Sequence, residues 1–230
     1  MWITGIMLPM CGRYTFTFSA KSLAEAFGMI PPGFDIVKGY NIAPGQYIVI
    51  VRPEKGQRVA DVAFWGLIPS WTNDPNTCPK PINARAETLI EKPTFRSAFK
   101  RNRCIVPASG FYEWKTEGKE KRPFYFHPTD GDVFAFAGLM EDWHGPNGEV
   151  MVGACIITTE PNELMAEIHN RMPVILPKDA WGLWLDPAVQ VREVQPLLVP
   201  YPSELMAAHP VGSAVGNTRN DGPELILSVV

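Results

Sequence analysis

The sequence predicts an α+β fold, a single domain built on a mainly antiparallel, distorted barrel-like sheet with a few packed helices. Three observations carry that prediction. Short runs of β-branched and aromatic residues recur along the chain, and 23 prolines and 19 glycines punctuate them. Consecutive runs are joined by connections of hairpin length. The regular alternation of strand and helix that a parallel sheet requires is missing. At 230 residues the chain can bury one sizeable core, and no repeat, low-complexity tract or charged linker divides it.

A short helix is expected over Ser22–Phe27, closed by Gly28. Strands follow at Tyr47–Arg52, Val59–Trp65 and Arg103–Pro107. Phe111–Lys115 and Pro123–His127 flank Glu117-Gly118-Lys119 as in a hairpin, and Asp130-Gly131 is the signal of a second hairpin into Val133–Leu139. A turn at Pro146-Asn147-Gly148 leads into a strand at Met151–Thr158. Helical spacing returns at Asn162–His169 and Lys178–Leu185.

The formal net charge of −3 argues against a protein that coats nucleic acid through bulk charge, although a local basic groove remains compatible with it. The four cysteines, Cys11, Cys78, Cys104 and Cys155, are widely and irregularly spaced. Neither a disulfide framework nor a zinc site is suggested, so free thiols in a cytoplasmic protein are expected, with no metal and no cofactor. The first nine residues are apolar but lack a basic start, so a secretory signal is not expected. No run approaches the roughly 20 apolar residues that span a bilayer, and no membrane partner is expected.

The chemistry gathers in a few strings. Met10-Cys11-Gly12-Arg13-Tyr14 sets a cysteine behind a methionine of the kind that Met aminopeptidase removes. A chain beginning at Cys11 would carry a thiol and a free α-amine on adjacent carbons, a pair that condenses with an aldehyde and closes to a thiazolidine. Asn83, Arg85 and Glu87 alternate and share one face if extended. Glu113 lies between aromatics, and His169 follows a helix two residues before Arg171. Each string also has a bland reading. Cys104 and Cys155, in apolar strands, read as small core residues. Trp65 and Trp114 read as core packing, and His127 and His144 as solvated. Asn83 and Arg85 could close a turn or pair with Glu87.

Taken together and in order, these strings resemble the SOS-response-associated peptidase (SRAP) family, a covalent sensor of abasic sites in DNA. The resemblance runs from Met10 to about Leu225. It includes Tyr-Asn-Ile-Ala-Pro-Gly at 40–45, Phe-Trp-Gly-Leu-Ile-Pro-Ser-Trp at 64–71 and Ile-Asn-Ala-Arg-Ala-Glu-Thr at 82–88. Gly-Phe-Tyr-Glu-Trp-Lys at 110–115, His-Asn-Arg-Met-Pro at 169–173 and Ala-Val-Gly-Asn at 214–217 complete it.

The resemblance implies an SRAP-like domain over 11–225, preceded at 1–10 by an extension that is a misassigned start or a removable leader. It implies that Cys11 crosslinks to the opened sugar of an abasic site in single-stranded DNA, with Asn83, Glu113 and His169 as the other catalytic residues. Arg13, Arg85 and Arg171 would contact phosphates, Asn41, Pro44 and Trp71 the strand path, and Thr158 would lie near the site. The family's paired tryptophans are Trp71-Thr72 here, so a smaller stacking surface is expected. A monomer is expected, with abasic single-stranded DNA as its partner. Two alternatives stay open: a thiol autopeptidase that cleaves Met10-Cys11, and a non-covalent module for single strands. Weak lyase activity at the imine is a secondary expectation.

Overall fold

Among the described residues, twelve strands form two sheets that meet along a seam. The structure is a computed structural model and describes residues 11–131 and 133–229; the extension at 1–10 lies outside the described residues. The strands are β1 (Tyr14–Phe16), β2 (Gly39–Ile42), β3 (Tyr47–Glu54), β4 (Gln57–Trp65), β5 (Asn83–Arg85), β6 (Arg103–Ala108), β7 (Gly110–Glu117), β8 (Glu120–Pro128), β9 (Phe134–His144), β10 (Val150–Thr159), β11 (Met172–Pro173) and β12 (Met206–Pro210). The helices are α1 (Ala20–Phe27), α2 (Pro93–Arg101), α3 (Glu163–Ala166), α4 (Trp181–Leu185) and α5 (Val191–Val194), with several single 3₁₀ turns between them.

The first sheet has the order β12-β8-β7-β1-β2. In the second, β10, β4, β3, β6 and β9 pair in turn, and β9 pairs back onto β10, which closes a five-strand barrel. Closure removes exposed edges. Its interior and covering layer are apolar: Trp65, Ile50, Val51, Ile105, Val106 and Phe136 are all buried. Tyr14 of β1 packs its ring edge-on against Trp65 and Phe136 and so ties the first sheet to the barrel.

The expected strands are all present, with ends moved by up to a few residues. α1 matches its sequence signals: Ser19 caps it in a reciprocal box with Ser22, and Gly28 closes it at φ 61°.

Several expectations are corrected. Asp130-Gly131 makes no hairpin, because β8 pairs with β7 and β12 while β9 pairs with β6 and β10; the turn carries the chain from one sheet to the other. β10 runs parallel to β4 and β5, within sheets that are otherwise antiparallel. The helix expected at Asn162–His169 is only the short α3, capped by the Asn162 side chain. The segment Lys178–Leu185 opens with a 3₁₀ turn before α4.

α2 was not anticipated. Its signals are present in Pro93 at the first turn, Phe95, Ala98 and Phe99 on one buried face, and Lys100 and Arg101 in the last turn.

Candidate active site

The seam forms where β1 lies against β7. Tyr14 pairs with Phe111 and Thr15 with Gly110, so the residues just before β1 run alongside Glu113. On the other side of β7, Gly110 lets β8 pack closely: a Cβ there would stand 2.4 Å from the Phe126 carbonyl oxygen and from the Tyr125 hydroxyl. The Tyr112 N–H donates to the Arg13 carbonyl at 3.0 Å and extends the pairing toward Cys11. The backbone N–H of Cys11 then donates to Glu113 Oε1 at 2.5 Å. In this chain that nitrogen is an amide; it stands where the α-amine would be if Cys11 were the first residue.

Both groups are buried, Cys11 to 4% exposure and Glu113 likewise to 4%. Burial pushes the Cys11 thiol well above its usual range, and the Glu113 carboxylate beside it adds to this. Burial also raises the Glu113 carboxyl, against the lowering effects of His169 and of the Cys11 N–H and thiol. A carboxylate held up in this way is suited to taking a proton. Cys11 also has φ 47°, in the left-handed region that a non-glycine residue enters only at a cost of about 1–2 kcal/mol.

The barrel supplies the opposite wall. Ile156 of β10 pairs with Asn83 and Thr158 with Arg85, while Thr158 and Thr159 pair with β11. That register brings Asn83, Thr158 and the 169–171 turn to one end of β10. The Arg171 guanidinium spans the group. It donates to Glu87 Oε1 at 2.6 Å and Oε2 at 2.9 Å, and to the Thr158 carbonyl at 2.7 Å. Arg171 in turn holds the Glu87 carboxyl below the usual range. Glu87 therefore pairs with Arg171, not with its neighbour Arg85. The buried Arg171 Nε has no partner among the described residues, and the Arg171 charge reaches Cys11.

The same turn sets the His169 ring. The Arg171 N–H is fixed by the backbone and donates to Nδ1 at 3.2 Å, which leaves the proton of the neutral ring on Nε2. The Arg171 carbonyl is 3.3 Å from the same Nδ1, where a protonated ring would donate.

Other expected site residues are placed differently. Asn41 is buried, and its Nδ2 donates to the carbonyls of Val215, Asn217 and Asn220. Arg13 donates to Asn41 Oδ1 at 2.7 Å and to the Val215 carbonyl at 2.8 Å, with its guanidinium 5.9 Å from the Trp114 ring centroid. Arg13 and Asn41 therefore pin the 211–221 segment over the first sheet. Pro44 is half-buried, Arg85 exposed, and Trp71 is 68% exposed. Trp114 is half-buried and packs against the cluster of Tyr112, Tyr125, Val211, Val215 and Leu225, and His127 stacks on Tyr125 rather than lying free in solvent. Among the described residues, no group of three or more His, Cys, Asp or Glu is placed to hold a metal ion.

The sequence was compared with known proteins. Residues 10–218 match the SOS response associated peptidase (SRAP) family. The Bacillus subtilis (strain 168) protein named Abasic site processing protein YoqW is 42% identical over 224 residues, covering 95% of this chain and 100% of that protein. Abasic site processing protein YedK of Escherichia coli (strain K12) is 30% identical, covering 96% of this chain and 100% of that protein. An X-ray crystal structure of a protein from Bacteroides thetaiotaomicron superposes with a TM-score of 0.83 at 28% identity, covering 96% of this chain and 100% of that one. With the seam geometry, a match over nearly the whole chain and relatives covered end to end, the chain belongs to the SRAP family.

Proposed function

We propose that this protein captures abasic sites in single-stranded DNA by covalent bonding to Cys11, once Cys11 is the first residue. The single observation that carries the reading is the buried contact of the Cys11 nitrogen and thiol with Glu113. The relatives' names, which record abasic site processing, support the substrate class.

The chemistry balances with these groups alone. His169 gives the proton on Nε2 to the sugar ring oxygen as the ring C–O bond breaks, and the C1 hydroxyl proton returns to the same nitrogen, leaving the aldehyde. The neutral α-amine attacks the aldehyde carbon, and Glu113 passes the two amine protons in turn to the former carbonyl oxygen. That oxygen leaves as water and gives the imine. The Cys11 thiol adds to the imine carbon and its proton passes to the nitrogen, closing the thiazolidine. Asn83 orients the sugar, and Arg85 and Arg171 favour its phosphates. Arg13, Asn41 and Thr158 hold the walls around it, and Pro44 and Trp71 border the strand path.

Residues before Cys11 block this route by making its nitrogen an amide. Their removal by a cut at Met10-Cys11 also abolishes the φ torsion at Cys11, because no preceding carbonyl remains to define it. The strained backbone of Cys11 favours that cut, whether it is made by the protein itself or by an aminopeptidase.

The test is a protein with Cys11 first, mixed with an abasic single-stranded oligonucleotide and run under denaturing conditions. The expected result is a shifted adduct, absent in Cys11→Ala and absent when residues 1–10 are retained. No adduct with the Cys11-first protein would sink the proposal. Strand cleavage accompanying the imine would add the lyase reading. Retention of residues 1–10 in Glu113→Gln or His169→Ala but not in wild type would assign the cut to the protein.

A further inference from the structure

We infer that the cleft between α2 and the segment 187–192, which runs into α5, is a second nucleic-acid contact, holding the phosphodiester backbone of a single strand. This rests on the reading of the chain as a protein that acts on DNA. Two adjoining hollows of about 220 and 450 Å³ share Lys100 and Arg101 as common lining. Arg96 lines one and Arg192 the other, and no carboxylate lines either. In a chain of net charge −3, four cations without an acid among them form a strong local exception.

The nearby acids are turned to other work. Asp186 accepts the Ala188 N–H at 2.8 Å and Glu193 accepts the Gln190 N–H at 3.1 Å, each capping its own turn. Arg96, Lys100, Arg101 and Arg192 are exposed, and none has an ion-pair partner among the described residues. Lys100 and Arg101 also offset the dipole at the C-terminus of α2, but that does not account for Arg96 or Arg192.

The cleft is preformed. Arg103 is buried at 2% exposure and donates to both walls: to the Phe99 and Lys100 carbonyls at the end of α2, and to the Trp184, Asp186 and Val189 carbonyls opposite. This fixes the backbone spacing of the two walls before any ligand arrives, so less ordering entropy is lost on binding. The lining contains no aromatic ring on which a base could stack. The cleft therefore reads backbone charge without sequence, and its concave track suits a chain of phosphates better than a flat anionic surface.

The test compares the full chain with its Arg96→Ala/Lys100→Ala/Arg101→Ala/Arg192→Ala variant. Each binds a short and a much longer single strand, neither with an abasic site, across a salt series. For the long strand, affinity falls on the order of tenfold in the variant, and the slope of log K against log salt drops by about 0.7 for each phosphate contact removed. The short strand binds equally to both. An Arg96→Lys/Arg101→Lys/Arg192→Lys variant retains wild-type affinity and slope, which separates charge from misfolding. Equal long-strand affinity and slope in wild type and the alanine variant would overturn the inference. So would a loss confined to phosphatidylserine vesicles. Failure of the Cys11 adduct would count against the proposed function alone, since this comparison uses undamaged DNA.

Discussion

The barrel wall and the seam each bury cysteine, and the two sites differ in everything except burial. Cys104 on β6 and Cys155 on β10 are fully buried, and Cys11 at the seam is 4% exposed. Burial raises all three thiols. Cys104 lies against Gly138, where an added Cβ would stand 2.8 Å from the sulfur, and the Cys155 thiol is the charge-bearing group that acts on it. Around Cys11 the neighbours are the Glu113 carboxylate and the Arg171 charge. A buried thiol among apolar groups is inert; one that shares its burial with a base has somewhere to send a proton. Reactivity here is decided by what is buried alongside the sulfur.

The largest test of that contrast removes the base. Glu113→Gln in the Cys11-first protein is expected to slow adduct formation by about 10²–10⁴-fold, the usual range for a positioned acid–base group. In the chain that retains residues 1–10, where the Cys11 nitrogen is an uncharged amide, the same substitution should also stabilise the fold at neutral pH. Burial holds the Glu113 carboxyl above its ordinary value, so the folded state binds that proton more tightly than the unfolded chain does. The resulting penalty is absent below the ordinary carboxylate value, grows as pH rises to the raised folded value, and is constant above it. Melting temperatures should therefore favour Glu113→Gln at pH 7 and converge with wild type in acid. A pH-independent difference would show that the seam does not hold its carboxylate as described.

A smaller effect is expected at Asn41. Asn41→Ala leaves the Asn217 and Asn220 carbonyls without that donor and the Val215 carbonyl with Arg13 alone. A loss of about 1–3 kcal/mol is expected, which at about 2–4 °C per kcal/mol is readable in a thermal melt. Amide exchange should quicken over 211–221 and remain slow in β3, β6 and β9. Equal quickening in the barrel would mean that seam and barrel open as one unit.

The smallest test exchanges the two kinds of cysteine for glycine in the chain that retains residues 1–10. Cys11→Gly loses thiol packing but relieves about 1–2 kcal/mol of left-handed strain, and is expected to be close to neutral. Cys104→Gly loses packing and adds about 0.5–1 kcal/mol of backbone freedom within a strand, and is expected to lower the melting temperature. The same shift for both would remove the backbone distinction between them.

Much of this was legible in the sequence. The turns at Gly118 and Gly148 do join paired strands, since Glu117 pairs with Glu120 and His144 with Val150. A two-residue turn signal failed at Asp130-Gly131 because turn chemistry fixes where a chain reverses, not which strand it joins. Cys11, Glu113 and His169 were found through their neighbouring residues. The ion pair of Glu87 with Arg171 was not, because it closes across 84 positions and two strands. Arg13 and Asn41 look like ligand contacts in their strings, yet the Asn41 amide and the Arg13 Nη1 turn to the 211–221 backbone.

By itself, the sequence determined the short-strand α+β architecture, the family to which the chain belongs and the residue types of the site, because propensity, turn chemistry and motif order are local properties. Only the tertiary structure decided that the barrel closes through the parallel pairing of β10 with β4, that Glu113 meets the Cys11 nitrogen, and that Arg171 reaches Glu87. Those outcomes depend on strand register and packing between residues about a hundred positions apart, where a hydrogen bond at 2.5 Å has no counterpart in sequence spacing.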